Sequence, residues 1–260
     1  MKISSVIAPL LLSLVVSVAG MTNDRDDTDN KTFAIEGVTE ASIETGTRQY
    51  LVYFKEKDTG VTKMISVWNR TTSIIKRGGE QLIETKQTWA SDDARFIREL
   101  YSLNRLDTFA PVAHRTKHGP DKITKAYLFS SDQVTADSSI EANSLQDFSM
   151  AANANMLNWE LDMETFALLP LGPGKSFALN FYHPGSKTPP KDYIYKVVGS
   201  ETLMDFEGNR FDCWLLKIDY NDKDHGIFWL SKKSGQMLKM EESWGNLLKY
   251  KVRLGLTTGL

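Results

Sequence analysis

From Tyr50 onward, apolar and polar residues alternate with the period of two that sends successive side chains to opposite faces of a strand. Tyr50, Val52 and Phe54 share a face, Asp58-Thr59-Gly60 supplies a turn, and Val61, Ile65 and Val67 continue with Met64 and Trp68 opposite. Such turn chemistry predicts a β-hairpin. Further strand-like runs cover 81–89, 96–103, 122–129, 175–182 and 193–202, spaced for an antiparallel sheet rather than for βαβ units.

The last third reads as a meander of strands over 211–220, 226–231, 236–243 and 246–254, separated by short turns. In the final strand Leu248, Tyr250, Val252 and Leu254 oppose Lys249, Lys251 and Arg253, which predicts an apolar buried face and a wet basic one. The run 211–220 is apolar on both faces, with Trp214, Leu216, Ile218 and Tyr220 opposite Phe211, Cys213 and Leu215, and is expected near the middle of the structure.

One stretch predicts a helix. Over 158–168, Trp159, Met163 and Phe166 recur at helical spacing while Glu160, Asp162 and Glu164 take other positions, and Pro170, Gly172 and Pro173 end the run. Residues 138–157, rich in Ser, Ala and Asn, read either as a weak helix or as a connection between two sheet halves. The pattern predicts a mainly β protein, an antiparallel sheet with one packed helix around 158–168, in a single domain over 46–260.

The chain starts differently. Lys2, the apolar run 6–16 and the small residues Ser17, Ala19 and Gly20 read as a cleavable secretory signal over 1–20. An uncleaved anchor is the competing reading, weakened by Pro9, Ser13 and Ser17. The expected location is periplasmic or secreted, with membrane association only through an uncleaved signal. A disordered leader is expected over 21–45, its first part carrying Asp24, Asp26, Asp27 and Asp29 with almost nothing apolar. An EF-hand register from Asp24 fails, because Asp29 stands where the turn glycine belongs and Ile35 where the bidentate glutamate belongs.

Composition adds exclusions. Cys213 is the sole cysteine, so no intramolecular disulfide forms and no acylated cysteine follows the cleavage site. With 41% hydrophobic residues the chain can bury a core, and a net charge of −2 gives no reason to expect nucleic acid as a partner.

Catalytic motifs do not emerge. His114 and His118 have the spacing of a helical zinc pair, but Pro111 and Gly119-Pro120 place them in a strand end or solvated loop, and His183 and His225 read as exposed loop residues. No G-x-S-x-G elbow or phosphate-binding glycine loop is present, and Cys213 sits in an apolar strand where its thiol is inert. Glu160, Asp162 and Glu164 could supply paired acids for glycoside cleavage, although acids early in a helix also favour its dipole. No metal or cofactor is expected. The aromatic residues are the remaining asset, with Trp159, Tyr193, Tyr195, Trp214 and Trp229 as candidate ligand-lining residues and core packing as the alternative.

The stretch from Phe211-Asp212-Cys213-Trp214 through Gly226-Ile227-Phe228-Trp229-Leu230-Ser231 to Gly235-Gln236-Met237-Leu238 resembles a bacterial family of exported proteins of unknown function, the domain of unknown function 3108 family, over 158–254. The resemblance implies a strongly curved antiparallel sheet, a half-barrel or open barrel, in the Gram-negative envelope, and carries no site residues. Three roles stay open: a non-enzymatic envelope protein binding a lipid, lipoprotein segment or envelope polymer; a hydrolytic enzyme acting on carbohydrate or another substrate; and a structural or adaptor protein.

Overall fold

The structure, a computed structural model, describes residues 32–256. The expected signal over 1–20 and the acidic stretch 21–31 lie outside the described residues. The strands in chain order are β1 (Gly46–Glu56), β2 (Thr62–Arg77), β3 (Glu80–Ser91), β4 (Arg98–Arg105), β5 (Pro111–His118), β6 (Ile123–Phe129), β7 (Gln133–Ala136), β8 (Ser149–Ala151), β9 (Leu157–Asn158), β10 (Ser176–Tyr182), β11 (Lys191–Met204), β12 (Arg210–Asp219), β13 (His225–Ser231), β14 (Met237–Trp244) and β15 (Leu247–Leu254). Among the described residues the one α-helix, α1 (Asp162–Ala167), follows a 3-10 turn at Trp159–Leu161.

All fifteen strands form one sheet, in the order β8-β7-β6-β5-β4-β3-β2-β1-β15-β14-β13-β12-β11-β10-β9. Every ladder is antiparallel except β10 with β9. Chain neighbours pair throughout, apart from β1 with β15, which joins the two halves of the sheet. The other junction, between β8 and β9, links opposite edges through residues 152–156 alone. A flat sheet of this size would hold its edges about 67 Å apart at ~4.8 Å per strand. The link can reach only about 20 Å. The sheet must therefore curl until its edges nearly meet, and it forms an open barrel.

Side chains rather than a ladder close the seam: Tyr127 and Val134 pack with Met156 and Tyr182 from the other half, and Asn158 Nδ2 donates to Ser102 Oγ at 3.4 Å. Beside it, the Phe33 N–H donates to the Ala178 carbonyl at 2.7 Å, which covers part of the free edge of β10. Ile35 and Ile43 are buried with Leu106 and Phe109 in the main core. The disordered leader expected through residue 45 is thus corrected for 32–45, whose apolar side chains plug one end of the barrel.

The main core lies inside the barrel, where Phe166 of α1 packs on Phe181, Tyr195 and Phe228 with ring centroids 4.8 to 6.3 Å apart. The turn between β13 and β14 seats the helix from behind. Gly235 has φ +73°, and a Cβ there would lie 2.7 Å from the Ala167 carbonyl oxygen. Strand β12 is buried on both faces as its pattern requires, with Leu216 and Ile218 in the inner core and Phe211 and Cys213 in a second cluster on the outer face.

The final strand reverses its expected sidedness. Lys251 and Arg253 are buried, at 5% and 9% exposure, whereas Leu254 is 39% exposed. Their register opposite Val52 and Tyr50, both core residues, points them inward. The sequence pattern misleads here because the balancing acids come from α1, from Glu44 and from β14.

Candidate functional site

Register divides the barrel interior into two ends. On one rung Trp68 pairs with Trp89 and Trp89 with Arg98; six residues farther along β2, Ile74 pairs with Ile83 and Ile83 with Asn104. The second end is the one plugged by Ile35, Ile43 and Phe109. The first gathers buried and half-buried aromatic and charged side chains.

At this first end the Trp68 and Trp89 rings stack face to face, with centroids 3.7 Å apart and planes 3° from parallel. Cations bracket the stack: the Arg98 guanidinium lies 4.7 Å from the Trp89 ring and the Lys251 ammonium 4.7 Å from the Trp68 ring. Neither cation forms an ion pair among the described residues. Arg98 Nε and Trp89 Nε1 are buried without a hydrogen-bond partner among those residues, as is the Tyr195 hydroxyl deeper in the barrel. Across the mouth, Trp159 stacks on His183 at 4.3 Å and lies 6.0 Å from Tyr193, forming an aromatic platform.

Charge around this mouth is mixed. Burial raises the Glu160 carboxyl against the opposing pull of Arg70, Lys251 and Arg98. Burial likewise raises Asp162, and it lowers Lys251, whose charge Asp162 partly restores. Glu242 feels the upward push of burial, but Lys249, which donates to it at 2.9 Å, and Tyr220 hold it below the usual carboxylate range. His183, expected as an exposed loop residue, is pushed down to about 4 by burial against Trp159.

Below the mouth, α1 is tied down by ions. Arg70 Nε donates to Glu164 Oε1 at 2.8 Å and a second guanidinium nitrogen to Oε2, while Arg48 reaches Oε1 at 3.3 Å. Burial alone would raise Glu164, yet the two guanidiniums outweigh it and hold the carboxyl at about 2. The helix acids are therefore not an exposed set favouring the helix dipole. Glu164 and Asp162 are each 6% exposed, and Glu164 serves as a fixed anion.

The candidate lining residues separate. Trp159 and Tyr193 form the platform at the mouth, and Tyr195 lies beneath it, fully buried against Phe166. Trp214 packs farther along the inner core with Lys232 4.1 Å from its ring. Trp229 sits on the outer face with Cys213 and Leu238, its Nε1 donating to Glu201 at 2.9 Å. His114, expected in a solvated loop, is buried in β5 between Ser102 and Thr116, each 2.9 Å from a ring nitrogen, and burial pushes it down to about 3. Sequence reasoning missed Arg98, Arg70 and Lys251. For Arg70 a signal existed: it shares the face of Trp68 two residues on, in a strand whose apolar face is inside.

Comparison with known proteins adds a family. No curated protein matches the chain. A β-barrel-like protein of domain of unknown function DUF1849 from Brucella abortus is 10% identical, with a TM-score of 0.49 over 85% of this chain and 98% of that one. A DUF1329 family protein from Desulfovibrio piger is 8% identical, with a TM-score of 0.35 over 84% of this chain and 90% of that one. The family model described as "Protein of unknown function (DUF3108)" matches residues 49–253, which extends the resemblance seen over 158–254 to almost the whole sheet. The chain belongs to the DUF3108 family of proteins of unknown function.

Proposed function

We propose that the protein is an exported, non-enzymatic component of the bacterial envelope that binds an amphiphile at the mouth of its barrel. The observation that carries this reading is the Trp68–Trp89 stack bracketed by Arg98 and Lys251, two cations with no ion pair among the described residues. A ligand with an anionic headgroup would meet these cations, and its apolar part the rings of Trp159 and Tyr193. Helix α1 fills the barrel below, so an acyl chain would lie across the mouth and not thread the interior. Hydrolysis is less well supported, since Glu164 is neutralised by two arginines.

Short-chain phosphatidylglycerol, titrated against tryptophan fluorescence, is expected to saturate. Arg98→Gln and Trp159→Ala should each weaken binding about tenfold, the scale of a lost charge-assisted contact or aromatic anchor. Equal response to phosphatidylcholine, or unchanged affinity in both folded variants, would overturn the reading.

A further inference from the structure

A second site lies where β1 outruns its partner. The β1–β15 ladder ends with Gln49 opposite Leu254, so Gly46 to Arg48 extend beyond it. A hollow of about 290 Å³ opens there, lined by Thr47, Arg48, Gln49, Arg253, Leu254 and Gly255. Both arginines in its wall are more than nine-tenths buried, an unusual place for a guanidinium unless an anion meets it.

One anion already does. Glu44, two residues before β1, bridges the two guanidiniums: Arg48 donates to Oε2 at 3.0 Å and Arg253 to Oε1 at 2.8 Å and to Oε2 at 3.3 Å. Arg253 grips the carboxylate with both terminal nitrogens and Arg48 adds one, its other going to Thr72 and Glu164, an arrangement suited to a carboxylate or a phosphate. The site is not saturated by what it holds. Arg48 Nε is buried with no hydrogen-bond partner among the described residues. Arg48, Arg70 and Arg253 present three positive charges, while the carboxylates bonded to them are the two of Glu44 and Glu164. Glu44 is also the partner most easily moved, its side chain 29% exposed against 5% for Glu164.

We infer that the Arg48–Arg253 pair is an oxyanion-binding site, open to a phosphate or carboxylate group through the hollow, and that Glu44 is an intramolecular occupant competing with that ligand. The site stands apart from the mouth: its residues belong to the frayed end of the β1–β15 ladder, and none of them belongs to the tryptophan stack.

The probe is inorganic phosphate, replacing chloride at constant ionic strength, with the Nε–H resonances of the arginines followed by NMR. In the native protein the Arg48 and Arg253 signals should shift saturably at millimolar phosphate. Glu44→Gln removes the competing charge and should tighten binding severalfold, whereas Arg253→Lys, which keeps the charge but loses the fork, should weaken it about tenfold. Arg98→Gln should leave phosphate binding unchanged, which separates this site from the proposed amphiphile mouth. No saturable shift in the native protein, or weaker binding in Glu44→Gln, overturns the inference.

Discussion

The two halves of the sheet face the same interior with opposite chemistry. From β10 to β14 the inner face is Phe177, Leu179, Phe181, Tyr195, Val197, Leu216, Ile218, Phe228, Leu230, Met237 and Met240, nearly all of it apolar. From β2 to β5 the same layer has apolar residues only toward its ends and at Leu100, with Trp68, Trp89, Ile74 and Ile83, and between them holds Ser66, Arg70, Thr72, Thr85, Gln87, Ser102, Asn104 and His114, all eight buried. Helix α1 lies between them and matches both, presenting Phe166 to the apolar half and Glu164 to Arg70 and Thr72 of the other. The apolar half can bury its side chains wherever they meet one another, since the hydrophobic effect is non-directional. In the polar half each buried donor left without an acceptor costs stability, so its partners must be placed one by one.

Perturbing each half should therefore cost differently. Glu164→Ala leaves the buried Arg70 guanidinium without its anion and Arg48 with Glu44 alone, and should destabilise by about 3–5 kcal/mol in chemical denaturation. The double change Arg70→Met with Glu164→Leu should recover most of that loss, because two apolar side chains replace the pair. If Glu164→Ala costs no more than a surface substitution, the ionic half is not what holds the helix.

Acid should loosen the polar half next. His114 is held at about 3 when folded, against an ordinary 6.5. The unfolded chain thus binds a proton that the folded chain refuses, and stability falls as pH drops from 6.5 toward 3, by about 3 kcal/mol at pH 4.5 for this residue. Glu164 adds a further loss between its ordinary 4.5 and its folded value of about 2. Denaturation midpoints measured across this range should slope less in His114→Gln; an unchanged slope would remove the histidine from the account.

The smallest effect tests the apolar half. Tyr195 is fully buried with its hydroxyl unpartnered among the described residues, so Tyr195→Phe should be neutral or stabilise by up to about 1 kcal/mol. A clear destabilisation would mean that the hydroxyl has a partner.

The same contrast explains what the sequence disclosed. Where burial is apolar, alternation located the strands: 211–220 was legible as two-faced, and the meander 226–254 matches β13, β14 and β15 closely. The helix was legible from Trp159, Met163 and Phe166. In the polar half, β5 looked like a loop, because His114 and its neighbours carry no apolar pattern and the groups that satisfy them, Ser102 and Thr116, reveal themselves only once strands pair. Lys251 and Arg253 looked solvent-facing for the same reason. Of the candidate site, the aromatic platform of Trp159 and Tyr193 was visible as composition, while the cations bracketing Trp68 and Trp89 depend on the β1–β15 and β3–β4 registers, which no local spacing encodes.

The strand order also has a kinetic consequence. Every ladder but one joins chain neighbours, so each half can assemble as a meander through short loop closures, one hairpin after another. The β1–β15 ladder brings together residues from opposite ends of the domain, at the largest loop-closure entropy in the sheet. Refolding should therefore pass through two preformed meanders, and the step that sets its rate is their joining along β1 and β15, which also brings Arg253 to Glu44.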